Sequence, residues 1–173
     1  VDDGSTDDTP DALRDLLDEY PQLRGLRMDS TPSGRGNGQS AALHAGLRAC
    51  RGDLIAVLDA DLQNDPADIP GMLRLMRERD ADMVQGDRSH ARKDSLVRRA
   101  SSQVGRIFRR LLLGDTIRDT GCSLRLMKRE VALQLPLEFR GMHRFIPVTA
   151  QHMGYTVIET PVRHRPPVPG RPI

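Results

Sequence analysis

Residues 54–63 read LIAVLDADLQ: five consecutive apolar residues followed by two aspartates that are separated by one alanine. A continuous apolar run of this length is typical of a parallel strand that is covered on both faces. In an open α/β sheet, ligands bind outside the carboxyl ends of the strands. We therefore expect Asp59 and Asp61 to lie at a ligand-binding edge, where their carboxylates can serve a divalent cation or a ribose.

A second acidic cluster, VDDGST at residues 1–6, has the same form, because Val1 resembles the last apolar residue of a strand. A single Asp after a strand is more often a helix cap or a turn residue. Two such clusters at equivalent strand ends instead favour a nucleotide diphosphate site. The reason is that Mg²⁺ takes one or two carboxylates together with substrate phosphate oxygens.

Helical and extended patterns alternate along the first half of the chain, which predicts a doubly wound, mostly parallel α/β sheet. The first helix begins at Thr9-Pro10 and stops at Pro21, and a glycine-rich loop occupies 33–38. Predicted helices lie at 9–20, 42–50, 72–76, 95–113, 130–135 and 143–153. Predicted strands lie at 23–28, 54–58, 82–86, 122–127 and 155–163.

The net charge of +2 conceals an acidic and a basic half. Residues 1–80 contain 9 Arg against 16 Asp and Glu, whereas 81–173 contain 17 Lys and Arg against 8 Asp and Glu. This asymmetry is typical of a metal-binding side next to an anion-binding side, or of a solvated Arg-rich helix. Since the chain has five aromatic residues and no recognised nucleic-acid-binding module, we expect no nucleic-acid partner.

Eight motifs follow one another along nearly the whole chain. They are VDDGSTDDT at 1–9, GQSAAL at 38–43, DADLQNDP at 59–66, GDR at 86–88, RKDS at 92–95, DTGCSLR at 119–125, HRFIP at 143–147 and VRHRP at 162–166. This ordered set resembles family 2 glycosyltransferases of the GT-A fold, and 59–66 resembles their DxD motif in its dolichol-phosphate mannose synthase form. The resemblance is nearest to polyprenyl-phosphate glycosyltransferases, including bacterial enzymes that act on undecaprenyl phosphate.

The resemblance implies a donor site for a nucleotide diphosphate sugar that is linked to either GDP or UDP. Asp3, with Asp2 nearby, would contact the base and ribose, and Asp59 would orient the ribose or a metal-bound water. Asp61 and Gln63 would coordinate Mg²⁺ or Mn²⁺ across the diphosphate. The full set implied to bind the nucleotide is Asp2, Asp3, Gly4, Ser5, Gly38 and Asp59.

The resemblance also implies an acceptor site for a polyprenyl phosphate. Arg88, Arg92 and Arg125 would meet the phosphate groups, a task that suits the forked donors of arginine. A lipid phosphate is already an anionic nucleophile, so no strong general base is needed. Catalysis would therefore depend on Asp59 and Asp61 together with Arg88 and Arg125, while a lone His such as His143 is more often a cap or packing residue.

The implied enzyme acts at the cytoplasmic face of a membrane, as a peripheral protein or tethered through segments absent from this chain. Residues 1–165 would form a partial, N-terminally truncated GT-A catalytic domain, and 166–173 a proline-rich tail. The predicted helix at 95–113 has a basic and an apolar face, which is the pattern of a helix that lies on an anionic membrane surface. The same pattern is expected if the apolar face of this helix packs on the domain's own sheet and the basic face is solvated.

Three other functions share parts of this sequence pattern. A noncatalytic nucleotide- or anion-binding domain would keep the same acidic and basic clusters. A family 2 transferase with a sugar hydroxyl as acceptor would keep the donor motifs. A phosphatase of the haloacid dehalogenase type is disfavoured, because Asp2 and Asp3 are adjacent and its motif requires the spacing Asp-x-Asp-Gly-Thr.

Overall fold

The computed structural model describes residues 1–31, 35–90 and 117–166. Its helices and strands are α1 (Thr9–Glu19), α2 (Gln39–Ala49), β1 (Leu54–Val57), α3 (Ile69–Glu78), β2 (Met83–Asp87), β3 (Arg125–Lys128), α4 (Arg129–Gln134), α5 (Ile146–His152) and β4 (Val157–Pro161). Short 3₁₀ turns occupy Pro66–Asp68 and Met142–Arg144. The described residues form two compact units, one within 1–51 and 133–144 and the other within 52–132 and 145–173.

The described residues of the second unit form a four-stranded sheet in the order β1-β3-β2-β4. Strand β3 is antiparallel to both β1 and β2, whereas β2 and β4 pair in parallel. Strands β1, β2 and β4 therefore run in one direction and β3 in the other. The sheet is mixed, with one parallel and two antiparallel pairings among the described strands, where the sequence predicted mostly parallel ones. As a consequence, the carboxyl ends of β1, β2 and β4 and the amino end of β3 share one edge, where Arg125 lies in register with Val57 and Gln85.

The environment of β1 differs from the expectation. Ile55 and Val57 are buried, but Leu54 and Ala56 are exposed, so the strand is covered on one face. Within the described part of the chain β1 pairs with β3 alone, in an antiparallel ladder at the edge of the sheet. The prediction of a parallel strand covered on both faces was wrong, because an apolar run carries no information about which partner strand it meets.

Helix α3 covers one face of this sheet. Its Met72 and Met76 pack with Val84 of β2, Leu126 of β3 and neighbouring apolar residues in one buried cluster. Successive side chains of a strand point to opposite faces, so Gln85 lies on the face opposite Val84. Helix α5, with Ile146, Pro147, Val148 and Ala150 buried, contacts β2 and β4.

In the first unit, the acidic cluster at 2–5 lies beside residues 26–28. The Asp2 N–H donates to the Leu26 carbonyl at 2.8 Å, and the Met28 N–H donates to the Asp2 carbonyl at 2.9 Å. These bonds form an isolated parallel bridge between Asp2 and Arg27. The predicted strand at 23–28 is thus reduced to one bridge, because Gly4 adopts a φ of 78° and turns the chain away.

Two further sequence-based expectations concern helices. The helix predicted at 143–153 is divided: a 3₁₀ turn ends at Arg144 and α5 begins at Ile146, with Pro147 in its first turn. The basic helix predicted at 95–113, together with Arg92, lies outside the described residues, as does 167–173 of the proline-rich tail. Within the described ranges, no helix is both long and apolar enough to cross a lipid bilayer.

Candidate functional site

Asp2 is held in a tight turn by its own neighbours. The Ser5 N–H donates to Oδ1 of Asp2 at 2.9 Å, and Nε of Arg27 lies 3.7 Å from Oδ2. Hydrogen bonds from the Ser5 side chain and backbone lower the pKa of Asp2 below its ordinary value. The turn therefore holds an ionised carboxylate whose Oδ2 is buried near Arg27 and accepts no hydrogen bond from the described residues.

Asp3 joins this turn to the loop that leads into α2. Oδ1 accepts hydrogen bonds from the backbone and side-chain nitrogens of Asn37 at 2.9 and 3.0 Å, and Oδ2 accepts one from the Gly38 N–H at 2.7 Å. Burial alone would raise the pKa of Asp3, but the hydrogen bonds from Asn37 and Gly38 outweigh it and lower the pKa. A Cβ at Gly36 would lie 2.7 Å from Oδ2, so this close approach requires glycine.

The first unit therefore brings together all the residues in it that were predicted to bind a nucleotide. Asp2 and Ser5 share the turn, Gly4 makes its reversal at positive φ, and Asp3 binds Gly38. Asn37 was not singled out from the sequence. Its position directly before Gly38 in the glycine-rich loop was the available signal.

His143 lies in the same unit and pairs with Ser40 of α2. The Ser40 hydroxyl and Nδ1 of His143 share a hydrogen bond of 2.9 Å, and the His143 N–H donates to Oγ of Ser40 at 3.2 Å. Ser40 is buried, with 4% of its surface exposed. The described contacts of His143 thus join a 3₁₀ turn to a helix.

In the second unit, the DxD segment leaves β1 as an exposed turn. Asp59 and Asp61 are both exposed. Oδ1 of Asp61 accepts a hydrogen bond from the Gln63 N–H at 3.0 Å, and Leu62 between them has a φ of 63°. Asp61 and Gln63 are thus brought together, and their oxygens are ligands that Mg²⁺ and Mn²⁺ accept.

The described residues contain no cluster of three or more His, Cys, Asp or Glu side chains arranged to hold a metal ion. A Mg²⁺ site needs only one or two protein carboxylates when substrate phosphates complete the coordination. The donor set of Asp61 and Gln63 therefore fits a metal that is bound together with a nucleotide diphosphate.

Arg88 directly follows β2 and forms a two-pronged ion pair with Asp119. Nε donates to Oδ2 at 2.9 Å and Nη2 donates to Oδ1 at 3.2 Å, and the Arg88 N–H adds a third bond to Oδ2 at 3.1 Å. Burial lowers the pKa of Arg88, but the contact with Asp119 outweighs this effect and raises it. Asp119 was not predicted as a site residue, although it opens the motif at 119–125.

Arg125 begins β3 and is buried, with 4% of its surface exposed. Nη2 donates to the Cys122 carbonyl at 2.6 Å and Nε donates to the Ser123 carbonyl at 3.3 Å. Burial lowers the pKa of Arg125 to about 10, so the guanidinium remains charged at neutral pH. Its positive charge, like that of Arg88, interacts electrostatically with Asp59. The structure thus places three predicted residues, Asp59, Arg88 and Arg125, within mutual electrostatic range.

A cavity of about 310 Å³ opens beside the ends of β2 and β4. Its lining is polar and was not predicted from the sequence; it consists of Asp87, His90, Arg118, Glu159, Thr160 and Pro161. The Glu159 carboxylate accepts hydrogen bonds from the N–H groups of Arg118 and Asp119. Burial raises the pKa of Glu159 above its ordinary value.

Comparison with known proteins identifies this arrangement. Residues 1–135, which are more than half of the chain, match the family described as "Glycosyl transferase family 2". The chain belongs to glycosyl transferase family 2. The resemblance inferred from the eight motifs is thereby confirmed.

Curated relatives of this family 2 chain include two polyprenyl-phosphate enzymes. It is 37% identical over 147 residues to dodecaprenyl-phosphate galacturonate synthase of Rhizobium johnstonii, with 85% of the chain and 42% of the relative covered. It is 36% identical over 165 residues to undecaprenyl-phosphate 4-deoxy-4-formamido-L-arabinose transferase of Edwardsiella ictaluri, with 95% and 48% covered. The chain spans about half the length of these relatives.

Solved structures show the fold of this family 2 chain. A mannosyltransferase of Pyrobaculum calidifontis in complex with GDP-Man and Mn²⁺ has a TM-score of 0.63 at 21% identity, covering 98% of this chain and 47% of that one. Glucosyl-3-phosphoglycerate synthase of Mycobacterium tuberculosis, with Mn²⁺, UDP-Glc and phosphoglyceric acid, has a TM-score of 0.61 at 22% identity, covering 98% and 59%. The predicted GT-A fold is confirmed.

Proposed function

We propose that this chain is part of the catalytic domain of a glycosyltransferase that moves a sugar from a nucleotide diphosphate sugar to a polyprenyl phosphate at the cytoplasmic face of a membrane. The observation that carries the proposal is the shared edge of the sheet in the second unit. There Asp59 and Asp61 leave β1 exposed, and the charges of Arg88 and Arg125 act on Asp59. The names of two curated relatives, both polyprenyl-phosphate enzymes, support the acceptor class.

On the donor side, Asp61 and Gln63 would hold Mg²⁺ or Mn²⁺, and Asp59 would orient the ribose or a metal-bound water. A divalent ion bound there would neutralise the negative charge that grows on the leaving nucleoside diphosphate. The fold neighbours contain Mn²⁺ with GDP-Man or UDP-Glc, which supports a metal and leaves both bases as candidates.

The turn at 2–5 and Gly38 would serve the base and ribose of the donor. The support is the buried Oδ2 of Asp2, which lacks a hydrogen bond from the described residues. A buried carboxylate oxygen that accepts no hydrogen bond is costly even with Nε of Arg27 3.7 Å away, and an N–H or O–H of the nucleotide would satisfy it. Asp3 would act through the loop, because Asn37 and Gly38 already donate to its carboxylate.

On the acceptor side, a phosphate oxygen of the lipid would attack the anomeric carbon while the bond to the diphosphate breaks. Asp119 holds Nε and Nη2 of Arg88, so the phosphate would approach the remaining nitrogen, Nη1. Arg125, being buried, would contribute through its charge. Arg92 and the basic residues of 95–113 are proposed, from the sequence alone, to meet the acceptor phosphate and an anionic membrane surface.

Calorimetric titration with GDP and UDP, each in the presence and absence of Mn²⁺, tests the donor side. We expect one nucleotide to bind only when Mn²⁺ is present. Equal binding of both nucleotides and of inorganic pyrophosphate without metal would contradict the proposal and favour a noncatalytic anion-binding domain.

Titration with farnesyl phosphate, a short and soluble polyprenyl phosphate, tests the acceptor side. We expect binding that Arg88→Ala weakens. A chain that binds a nucleotide with Mn²⁺ but does not bind farnesyl phosphate would instead point to a sugar hydroxyl as the acceptor.

A further inference from the structure

The backbone of Asp119 is held on both sides by side chains from the sheet. Oε1 of Glu159 in β4 accepts a hydrogen bond from the Asp119 N–H at 3.1 Å. Nε2 of Gln85 in β2 donates to the Asp119 carbonyl at 3.2 Å. Gln85 and Glu159 are register partners in the parallel β2–β4 ladder, so the two groups that hold Asp119 come from adjacent positions of the sheet.

The same two side chains secure the residues on either side of Asp119. Both carboxylate oxygens of Glu159 accept from the Arg118 N–H at 2.9 Å. Nε2 of Gln85 also donates to the Cys122 carbonyl at 2.8 Å. Residues 118–122 therefore cannot shift without breaking hydrogen bonds to β2 and β4.

The backbone N–H and carbonyl groups of residues 118–122 need hydrogen-bond partners wherever they are buried, and Glu159 and Gln85 supply them. Gln85 is completely buried, and its Oε1 accepts no hydrogen bond within the described part of the chain. Burying an amide with an unsatisfied oxygen costs free energy. What these polar groups provide is the placement of Asp119, whose carboxylate in turn binds Arg88 through three hydrogen bonds.

We infer that Glu159, backed by Gln85, is a positioning residue for Arg88: it fixes the Asp119 backbone, and Asp119 aims the guanidinium at the phosphate of the acceptor. The inference rests on the proposed function, because it takes Arg88 to be the group that contacts the phosphate. Nothing in the sequence around residue 159 indicates this role. The positions are joined only when β4 lies beside β2.

Farnesyl phosphate affinity, measured by calorimetry for four single variants and one double variant, tests the inference. Glu159→Leu removes both acceptor oxygens at similar volume, and Glu159→Gln keeps one oxygen to accept the two N–H groups. Arg88→Ala serves as the reference, and Glu78→Gln, at the exposed end of α3, is the matched control. Melting temperature and Mn²⁺-dependent nucleotide affinity are recorded for each variant.

We expect Glu159→Leu to weaken farnesyl phosphate binding about tenfold, the effect of losing one well-placed hydrogen bond to a charged group. Glu159→Gln should retain part of that affinity, and Glu78→Gln all of it. Combining Glu159→Leu with Arg88→Ala should weaken binding no further than Arg88→Ala alone, because both changes remove the same contact. Nucleotide affinity should change in none of the Glu159 variants.

If Arg88→Ala weakens binding while both folded Glu159 variants bind like the parent, the inference is overturned and the proposed function stands. The inference is also overturned if the losses of farnesyl phosphate affinity caused by Glu159→Leu and Arg88→Ala add up in the double variant. If Arg88→Ala itself has no effect, the role proposed for Arg88 fails, and the inference fails with it. If Glu159→Leu does not fold, the farnesyl phosphate affinity of Glu159→Gln decides. An affinity between those of the parent and Arg88→Ala supports the inference, and an affinity equal to that of the parent overturns it.

Discussion

Asp61 and Asp65 lie in one short segment, and we expect their replacement by alanine to have opposite consequences. Asp61 is exposed, so losing its hydrogen bond from the Gln63 N–H should change stability little, while a metal ligand is removed. Mn²⁺-dependent nucleotide affinity should fall at least tenfold, which is about 1.4 kcal/mol or more. Asp65 is buried, accepts from the Ala67 N–H at 3.1 Å, and pairs with Arg163 and Arg165 at 3.2 and 2.9 Å.

Asp65→Ala should therefore lower the melting temperature by about 3 °C, the usual effect of losing one cap in a domain of this size. The two ion pairs add little, because both arginines are more than half exposed. Calorimetry with GDP and UDP, with and without Mn²⁺, together with thermal melts of both variants, separates the effects. Unchanged Mn²⁺-dependent nucleotide affinity in Asp61→Ala would refute the assignment of Asp61 as a metal ligand. A tenfold loss of that affinity in folded Asp65→Ala would indicate that Asp65 is the ligand instead.

Three other outcomes are expected. Asp3→Asn should destabilise the fold at neutral pH. Because the folded pKa of Asp3 lies below the ordinary 3.8, the stability contributed by its carboxylate is complete above pH 3.8 and is lost as the pH falls through the folded pKa. Denaturation curves of the parent and the variant should therefore converge in acid. Iodoacetamide at pH 8 should label Cys50 and spare Cys122, which is buried and whose pKa burial raises to about 11; equal labelling would contradict the packing. Charge reversal in the predicted basic helix should reduce sedimentation with phosphatidylglycerol vesicles and spare nucleotide affinity, and binding independent of anionic lipid would remove the surface role. The reversed residues are Arg98, Arg99, Arg109 and Arg110.

Most helices and strands of the described chain were predictable from local pattern. The helix at 9–19, the strand at 54–57 and the strand at 83–87 lie within a residue or two of the predicted bounds. The helix and the first of these strands have a local signal: Thr9-Pro10 at the helix start and the apolar run at 54–58. The single bridge at Asp2–Arg27 and the break before α5 were missed, because they depend on neighbouring segments.

For the candidate site, the sequence likewise indicates short-range groupings of residues but not the long-range contacts. Predicted residues that lie within a few positions of one another, such as Asp61 with Gln63 or Asp2 with Ser5, are joined by hydrogen bonds in the structure. Asp119 was quoted only as part of a motif, and Glu159 was not singled out at all. Their partners lie 31 and 40 positions away along the chain.

The sequence by itself determined the family, the alternation of helix and strand, and the acidic segments that follow strands. These properties depend on residue type and on short spacings along the chain. Local sterics and hydrophobic periodicity act over the same short distances, so they determine helices, strands and turns without long-range contacts. Only the tertiary structure decided that β3 runs antiparallel between β1 and β2, and that Glu159 and Gln85 hold the backbone of Asp119. The physical reason is that strand order and register are set by burial over the whole sheet, and no short stretch of sequence encodes which strands will be neighbours.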